Sequence, residues 1–164
     1  MAEIIIVTGG AGFIGSAYIW HLNNLGIENI LIADKLRLAD KWKNINKLKY
    51  YDFIDKDKLL ESLEKIGGVA SIIHLGACSS TTETNADYFI RNNYEYSKSL
   101  WNFCAKKKIY FIYASSAATY GDGNSGFDDA DTYNLKPLNP YGFSKHLFDK
   151  WVMNQTSQGN APEL

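Results

Sequence analysis

The stretch TGGAGFIGS, Thr8 to Ser16, constrains the fold of this 164-residue chain more than any other. It follows directly on the apolar run EIIIV and leads into an amphipathic stretch, so Gly10, Gly12 and Gly15 stand at a strand-to-helix turn in G-x-G-x-x-G spacing. Gly9 and Gly10 permit the tight turn. Gly12 lets backbone donors approach a pyrophosphate at the helix N-terminus, and Gly15 lets helix and strand pack closely. Asp34 then closes the second strand, where an acid accepts hydrogen bonds from an adenine ribose. Such a start commits the chain to a dinucleotide-binding α/β fold.

The rest of the chain keeps the same alternation. Short β-branched runs predict strands over 3–8, 29–34, 49–52, 71–75 and 110–114, and helical periodicity fills the gaps at 13–25, 55–65, 87–107 and 140 to about 154. Gly26 and Gly67 are read as helix stops. Continuous apolar strands such as IIIV and SIIHL belong to a parallel sheet covered on both faces. The expected fold is a Rossmann-type doubly wound parallel sheet in the order 3-2-1-4-5. Residues 1–153 are expected to form the NAD(P)-binding domain, and 154–164 a polar, fraying tail that leads toward a substrate-binding half.

Composition narrows the function classes. A net charge of −1, from 17 basic and 18 acidic residues, argues against a nucleic-acid binder and for small-molecule partners. No apolar run is long enough to span a bilayer, and MAEIIIVTGG lacks the basic flank of a signal peptide, so no membrane partner and a cytoplasmic location are expected. Cys78 and Cys104 stand outside any CxxC or His-rich context, so reduced thiols without metal are expected. After Asp34, which favours NAD, come Lys35, Arg37 and Lys41, which suit a 2′-phosphate or form a solvated basic loop. Asp52 is placed at the end of the third strand, either reaching an adenine or capping a turn. His74 lies within a strand and reads as packed.

Near the end stands NPYGFSK. Asn139 suits an N-cap and Pro140 the first helical position, so Tyr141 and Lys145 share one helix face about a turn apart. That spacing alone is common on helix surfaces. It gains meaning behind a cofactor site and a strand that ends in Ser115 and Ser116, because an ammonium near a phenol lowers the phenol's pKa toward a useful base.

Together, TGGAGFIGS, the Ser-Ser after the fifth strand and Tyr141-x-x-x-Lys145 resemble the extended short-chain dehydrogenase/reductase family of nucleotide-sugar enzymes. Within it, HLGACSSTTE, NNYEYSK, YASSAATYG and NPYGFSK are similar to the ADP-L-glycero-D-manno-heptose-6-epimerase family, from Ile4 to about Val152. The resemblance implies Tyr141 as acid/base, Ser116 bonding the same substrate oxygen, and Lys145 holding the nicotinamide ribose. It implies Leu75, Gly76, Ala77, Cys78 and Ser79 along that ribose with Asn92 behind them, Phe13 and Ile14 by the pyrophosphate, and Lys56 at the adenine end. Ser79, Ser80, Thr81 and Thr82 suit sugar or phosphate oxygens, with a plain capping loop as the alternative.

The reaction implied is epimerisation at C6″ of an ADP-linked heptose by transient oxidation and hydride return, a step toward the lipopolysaccharide inner core. NADP is the expected cofactor, with NAD as the alternative, and the full-length protein is expected to assemble with copies of itself. The substrate half and its second acid/base lysine lie beyond Leu164, so the chain alone is expected to be inactive. A dehydratase would carry an Asp-Glu pair where Ala117 and Ala118 stand. A noncatalytic NAD(P)-sensing module would be expected to lack Tyr141 or Lys145.

Overall fold

The structure, a computed structural model, describes residues 3–37, 40–80, 83–129 and 132–163. Two compact units share the chain: Met1–Gly76, Phe103–Tyr113 and Pro162–Leu164 make the first, Ala77–Asn102 and Ala114–Ala161 the second.

The first unit holds the sheet. Its strands are β1 (Ile4–Thr8), β2 (Ile30–Asp34), β3 (Asp52–Asp55), β4 (Val69–His74) and β5 (Tyr110–Tyr113). They lie in the order β3-β2-β1-β4-β5 with every pairing parallel, as expected. The central strand β1 is hydrogen-bonded on both sides, and all of β2 is buried. Against these strands pack α1 (Phe13–Asn24) and the short α2 (Trp42–Ile45), and Val7, Ala11, Ile19, Leu22, Ile30, Ile32, Ile45 and Ile73 form one core. Each isoleucine fully buried there contributes roughly 1.5–3 kcal/mol. Because the strands are parallel, their C-terminal ends line one edge, with Thr8 level with His74 and Asp34 level with Asp55.

Three expectations need correction in this unit. The third strand is not 49–52 but Asp52–Asp55. The tyrosines Tyr50 and Tyr51 read as strand formers, yet register decides: Leu31 pairs with Asp52 and Asp34 with Asp55. Asp52 therefore opens the strand, about 10 Å from the C-terminal edge at about 3.3 Å per residue, and its carboxylate accepts from Phe53 N. It does not end the strand beside an adenine. Second, α3 (Lys56–Ser62) tightens into a 3-10 turn at Leu63–Lys65, and the left-handed glycine that follows is Gly68 (φ +70°), not Gly67. Third, the polar tail is tied down where fraying was expected. Glu163 N donates to Ile109 O, and Glu163 forms a parallel bridge with Tyr110 of β5.

The second unit is mostly helical. The run expected as one helix over 87–107 is α4 (Ala86–Phe89), a π-helical segment Ile90–Glu95, and α5 (Tyr96–Lys107). The last helix, α6 (Pro140–Ser157), starts as read, with the Asn139 side chain accepting from Gly142 N, and runs one turn further than expected. Phe148 of α6 is buried against Trp101 of α5, with Trp151 stacked on the same cluster. This packing fixes the helix that carries Tyr141 and Lys145. Among the described residues, no helix is long and apolar enough to cross a membrane.

Candidate functional site

In the first unit the glycine turn is built for close approach. Gly9 has φ +70°, and a Cβ there would lie 2.6 Å from Gly76 N, so the loops after β1 and β4 run side by side only because this position lacks a side chain. Gly9 N donates to Ala33 O, and Gly12 N to Gly9 O. Gly12 caps α1 without any side-chain bond to the first-turn amides, which is the geometry an anion needs at a helix N-terminus. Phe13 is 87% exposed and Ile14 64% exposed, apolar surface at the mouth of that turn. On the neighbouring strand end, Leu75 N donates to Thr8 O and Gly76 N to Thr8 Oγ1. His74, buried, meets the same Thr8 Oγ1 at 2.6 Å through Nδ1, so it is packed and satisfied, as read.

Asp34 is buried, and its carboxylate joins the two strand ends. Oδ2 accepts from Ala11 N at 3.0 Å, while Oδ1 accepts from Lys35 N at 2.7 Å and Lys41 Nζ at 3.0 Å. A carboxylate offers about four lone-pair sites, so capacity for a ribose hydroxyl remains. The basic residues that suit a 2′-phosphate already have acidic company. Lys35 pairs with Asp57, Lys56 Nζ lies 3.0 Å from the same carboxylate, and Lys41 lies on Asp34. The hydrogen bond from Lys35 holds the Asp57 carboxyl below its ordinary range, and Asp57 in turn holds the Lys35 ammonium above its own. Arg37 has φ +52°. At the end of β3 the acid at the edge is Asp55, which the sequence reading missed; it caps α3 by accepting from Asp57 N.

In the second unit, Lys145 is 5% exposed, and Nζ donates to Ala114 O at 2.6 Å. Burial pushes its pKa down to about 8, partly offset by Asp149. The Tyr141 ring packs on Phe89 at 6.3 Å between centroids. Ser116 Oγ accepts from Ala118 N at 3.2 Å and caps a 3-10 turn, Ala117–Tyr120, which leaves its own O–H to donate. Gly142 lets this turn approach the start of α6: a Cβ there would meet Ala118 O at 2.5 Å. Thus Ser116, Tyr141 and Lys145 belong to two segments in direct contact.

Asn93 ties the loop after β4 to this centre. Only 2% exposed, it accepts from Cys78 N at 2.8 Å, donates to Cys78 O at 3.0 Å and donates to Ser144 Oγ at 3.0 Å. Ser144, between the two candidate catalytic residues, donates to Tyr141 O. The sequence reading placed Asn92 behind that loop. In the structure Asn92 Nδ2 bonds Tyr88 O, and its neighbour Asn93, in the π-helical segment, is the residue that bonds the loop after β4. A π-bulge adds one residue to a turn and moves the facing position by one, so the contact of Asn93 with this loop could not be read from 3.6-residue periodicity. Ala77, Ser79 and Ser80 are exposed; Ser80 Oγ accepts from Glu83 N. Thr81 and Thr82 lie outside the described residues. Cys78 is half-buried; Cys104 is buried and its thiol pushed up to about 12, so it is inert.

A β-strand, glycine turn and helix at the centre of a 3-2-1-4-5 parallel sheet define a Rossmann-type dinucleotide-binding protein, and α6 carries Tyr141 and Lys145 one turn apart. The chain belongs to the NAD dependent epimerase/dehydratase family, whose profile matches residues 5–162. Similar proteins include the ADP-L-glycero-D-manno-heptose-6-epimerase of Fusobacterium nucleatum, 56% identical over 94% of this chain and 49% of that protein. The crystal structure of the Helicobacter pylori ADP-L-glycero-D-manno-heptose-6-epimerase superposes with a TM-score of 0.82 at 32% identity, covering 93% of this chain and 51% of that one. The UDP-glucose 4-epimerase of Brucella ovis, solved in complex with NAD, gives 0.72 at 26% identity, over 95% and 48%. The chain spans about half the length of the curated relatives it matches.

Proposed function

We propose that this chain carries the cofactor-binding and acid/base part of an epimerase acting at C6″ of an ADP-linked glycero-manno-heptose. The observation that carries the reading is the buried Lys145: an ammonium held on a backbone carbonyl one helical turn from Tyr141 is costly to the fold and useful to a phenol. The 56% identity to the Fusobacterium nucleatum protein supports the particular sugar.

The residues fit a nicotinamide dinucleotide. Gly12 leaves the first-turn amides of α1 without a side-chain cap where a pyrophosphate is read, and Asp34 stands at the strand end where a ribose is read. Phe13, Ile14, Gly12 and Gly15 would flank the pyrophosphate, Lys35, Lys41 and Lys56 the adenine end, and Leu75, Gly76, Ala77, Cys78, Ser79 and Lys145 the nicotinamide ribose. A bound nicotinamide would supply the hydride acceptor and donor for the sugar carbon. Tyr141, as phenolate beside the Lys145 ammonium, takes the proton of the sugar hydroxyl and gives it back. Ser116 donates to the same oxygen and steadies the charge that develops there. Ser79 and Ser80, both exposed, would meet substrate oxygens, with Thr81 assigned beside them from sequence only.

The protein binds NADP in preference to NAD, by a modest factor. A 2′-phosphate would draw on Lys35, Lys41 and Lys56, but it must compete with Asp57 and Asp34 for them. The test is turnover of ADP-D-glycero-D-manno-heptose by the whole protein, together with calorimetric titration of NADP and NAD. No epimerised product from cofactor-loaded protein would refute the substrate assignment.

A further inference from the structure

Two side-chain contacts join α6 to the segment that follows β5. Lys145 Nζ bonds the carbonyl of Ala114, and Asp149, one turn further along α6, accepts from the hydroxyl of Ser115. Successive residues of the segment thus meet successive turns of the helix, in the register that i and i+4 dictate. Ser116 follows at once and caps the 3-10 turn that Gly142 lets approach the helix start. Sequence reading assigned a role to the second serine of the pair and none to the first or to Asp149.

We propose that Asp149 is a positioning residue for the acid/base pair: its carboxylate tethers Ser115, so fixing Ala114 and Ser116, and stands as the counter-charge to the buried Lys145 ammonium. This rests on the reading of Lys145 and Tyr141 given above. Among the described residues, the charged and titratable groups about it on α6 are Tyr141, Lys145, His146 and Lys150. The segment after β5 brings Tyr120 with Asp128 and Asp129, whose hydrogen bond and charge hold the phenol of Tyr120 above its ordinary range. The π-helical segment brings Asn93, which does not titrate. Asp149 opposes the burial that depresses Lys145, and likewise the burial and Lys150 charge that depress His146, so its field reaches both. Without it Lys145 would lose its proton nearer neutrality, and with the proton its support of a phenolate.

The experiment is a titration of 13C-labelled lysine side chains by NMR in the parent, Asp149→Asn, Asp149→Glu and Ser115→Ala, with the Lys145 resonance assigned by its loss in Lys145→Met. Asp149→Asn keeps a hydrogen-bond acceptor for Ser115 but removes the charge. It should lower the Lys145 midpoint by about one pH unit, the scale of a neighbouring opposite charge. Asp149→Glu should restore it, and Ser115→Ala should leave it nearly unmoved while weakening binding of the cofactor. An unmoved midpoint in Asp149→Asn would overturn the counter-charge, as would a Ser115→Ala shift as large as that of Asp149→Asn. Asp149→Ala serves as a second neutral variant, with the same expectation, should the asparagine variant not fold. The midpoint is read without substrate, so its failure leaves the epimerase reading standing, and lack of heptose turnover would sink that reading without touching the titration.

Discussion

Lys145→Met should make the folded chain more stable at pH 7 while removing its chemistry. Lys145 is 5% exposed, and burial lowers its pKa from the ordinary 10.5 to about 8. At about 1.36 kcal/mol per pH unit, that gap corresponds to roughly 3 kcal/mol of destabilisation while the lysine stays charged. Methionine has a similar length and no charge, so it lifts this penalty. It also leaves Ala114 O without its donor, which costs about 1 kcal/mol at a half-buried carbonyl that water can reach. The net expectation is a gain on the order of 2 kcal/mol at pH 7. The sign with pH follows from the lowered value: between about 8 and 10.5 the unfolded chain binds more protons at this site than the folded one, so the parent gains stability as pH rises through that window. The advantage of Lys145→Met should therefore be full below pH 8 and fade toward pH 10. Urea unfolding of parent and variant at pH 7, 8.5 and 10 reads this directly, because the other titrating groups cancel in the difference. A variant less stable than the parent at pH 7, or an advantage that grows with pH, would refute the reasoning. A gain would mean that the lysine is kept against the interest of the fold.

Tyr141→Phe in the whole protein should keep cofactor affinity and lower turnover by at least about 100-fold, the low end for lost acid/base catalysis; steady-state assay with cofactor titration measures both, and an unaltered rate removes Tyr141 from the mechanism. Neutralising Lys35 and Arg37 together should move cofactor preference toward NAD, read by calorimetry, and an unchanged NADP affinity would leave that loop as solvated surface. Gly9→Ala adds a side chain at φ +70° against Gly76 and should cost on the order of 1–3 kcal/mol of stability along with most dinucleotide affinity; normal binding would mean that the loops after β1 and β4 can part. Asn93→Ala leaves the N and O of half-buried Cys78 without this partner and should cost about 1–3 kcal/mol in chemical denaturation, whereas a loss under about 0.5 kcal/mol would show water serving in its place.

Local chemistry is what a sequence states openly. The strand, glycine turn and first helix, and the cap at Asn139 two residues before Tyr141, were legible because each depends on neighbours in the chain: a Cβ that does not fit, an amide that proline lacks, apolar residues at strand or helix spacing; the strand order followed from the fold class that the glycine turn announces. The pairing of β3 was not, since Tyr50 and Tyr51 have strand-forming side chains and only the register against β2 shows that the strand begins at Asp52 and that Asp55 reaches the edge. Nor was the part of Asn93 in holding the loop after β4, because a π-helical turn adds one residue to the helix phase. The lysines after β2 read as either cations for a phosphate or a solvated loop, and tertiary structure supplied Asp57 and Asp34 as their present partners. The burial of Lys145, and with it the difference between a surface lysine and one tuned toward neutrality, exists only once Ala114, Ser115 and α6 are brought together. Desolvation depends on what surrounds a group in space, and no spacing along the chain encodes that.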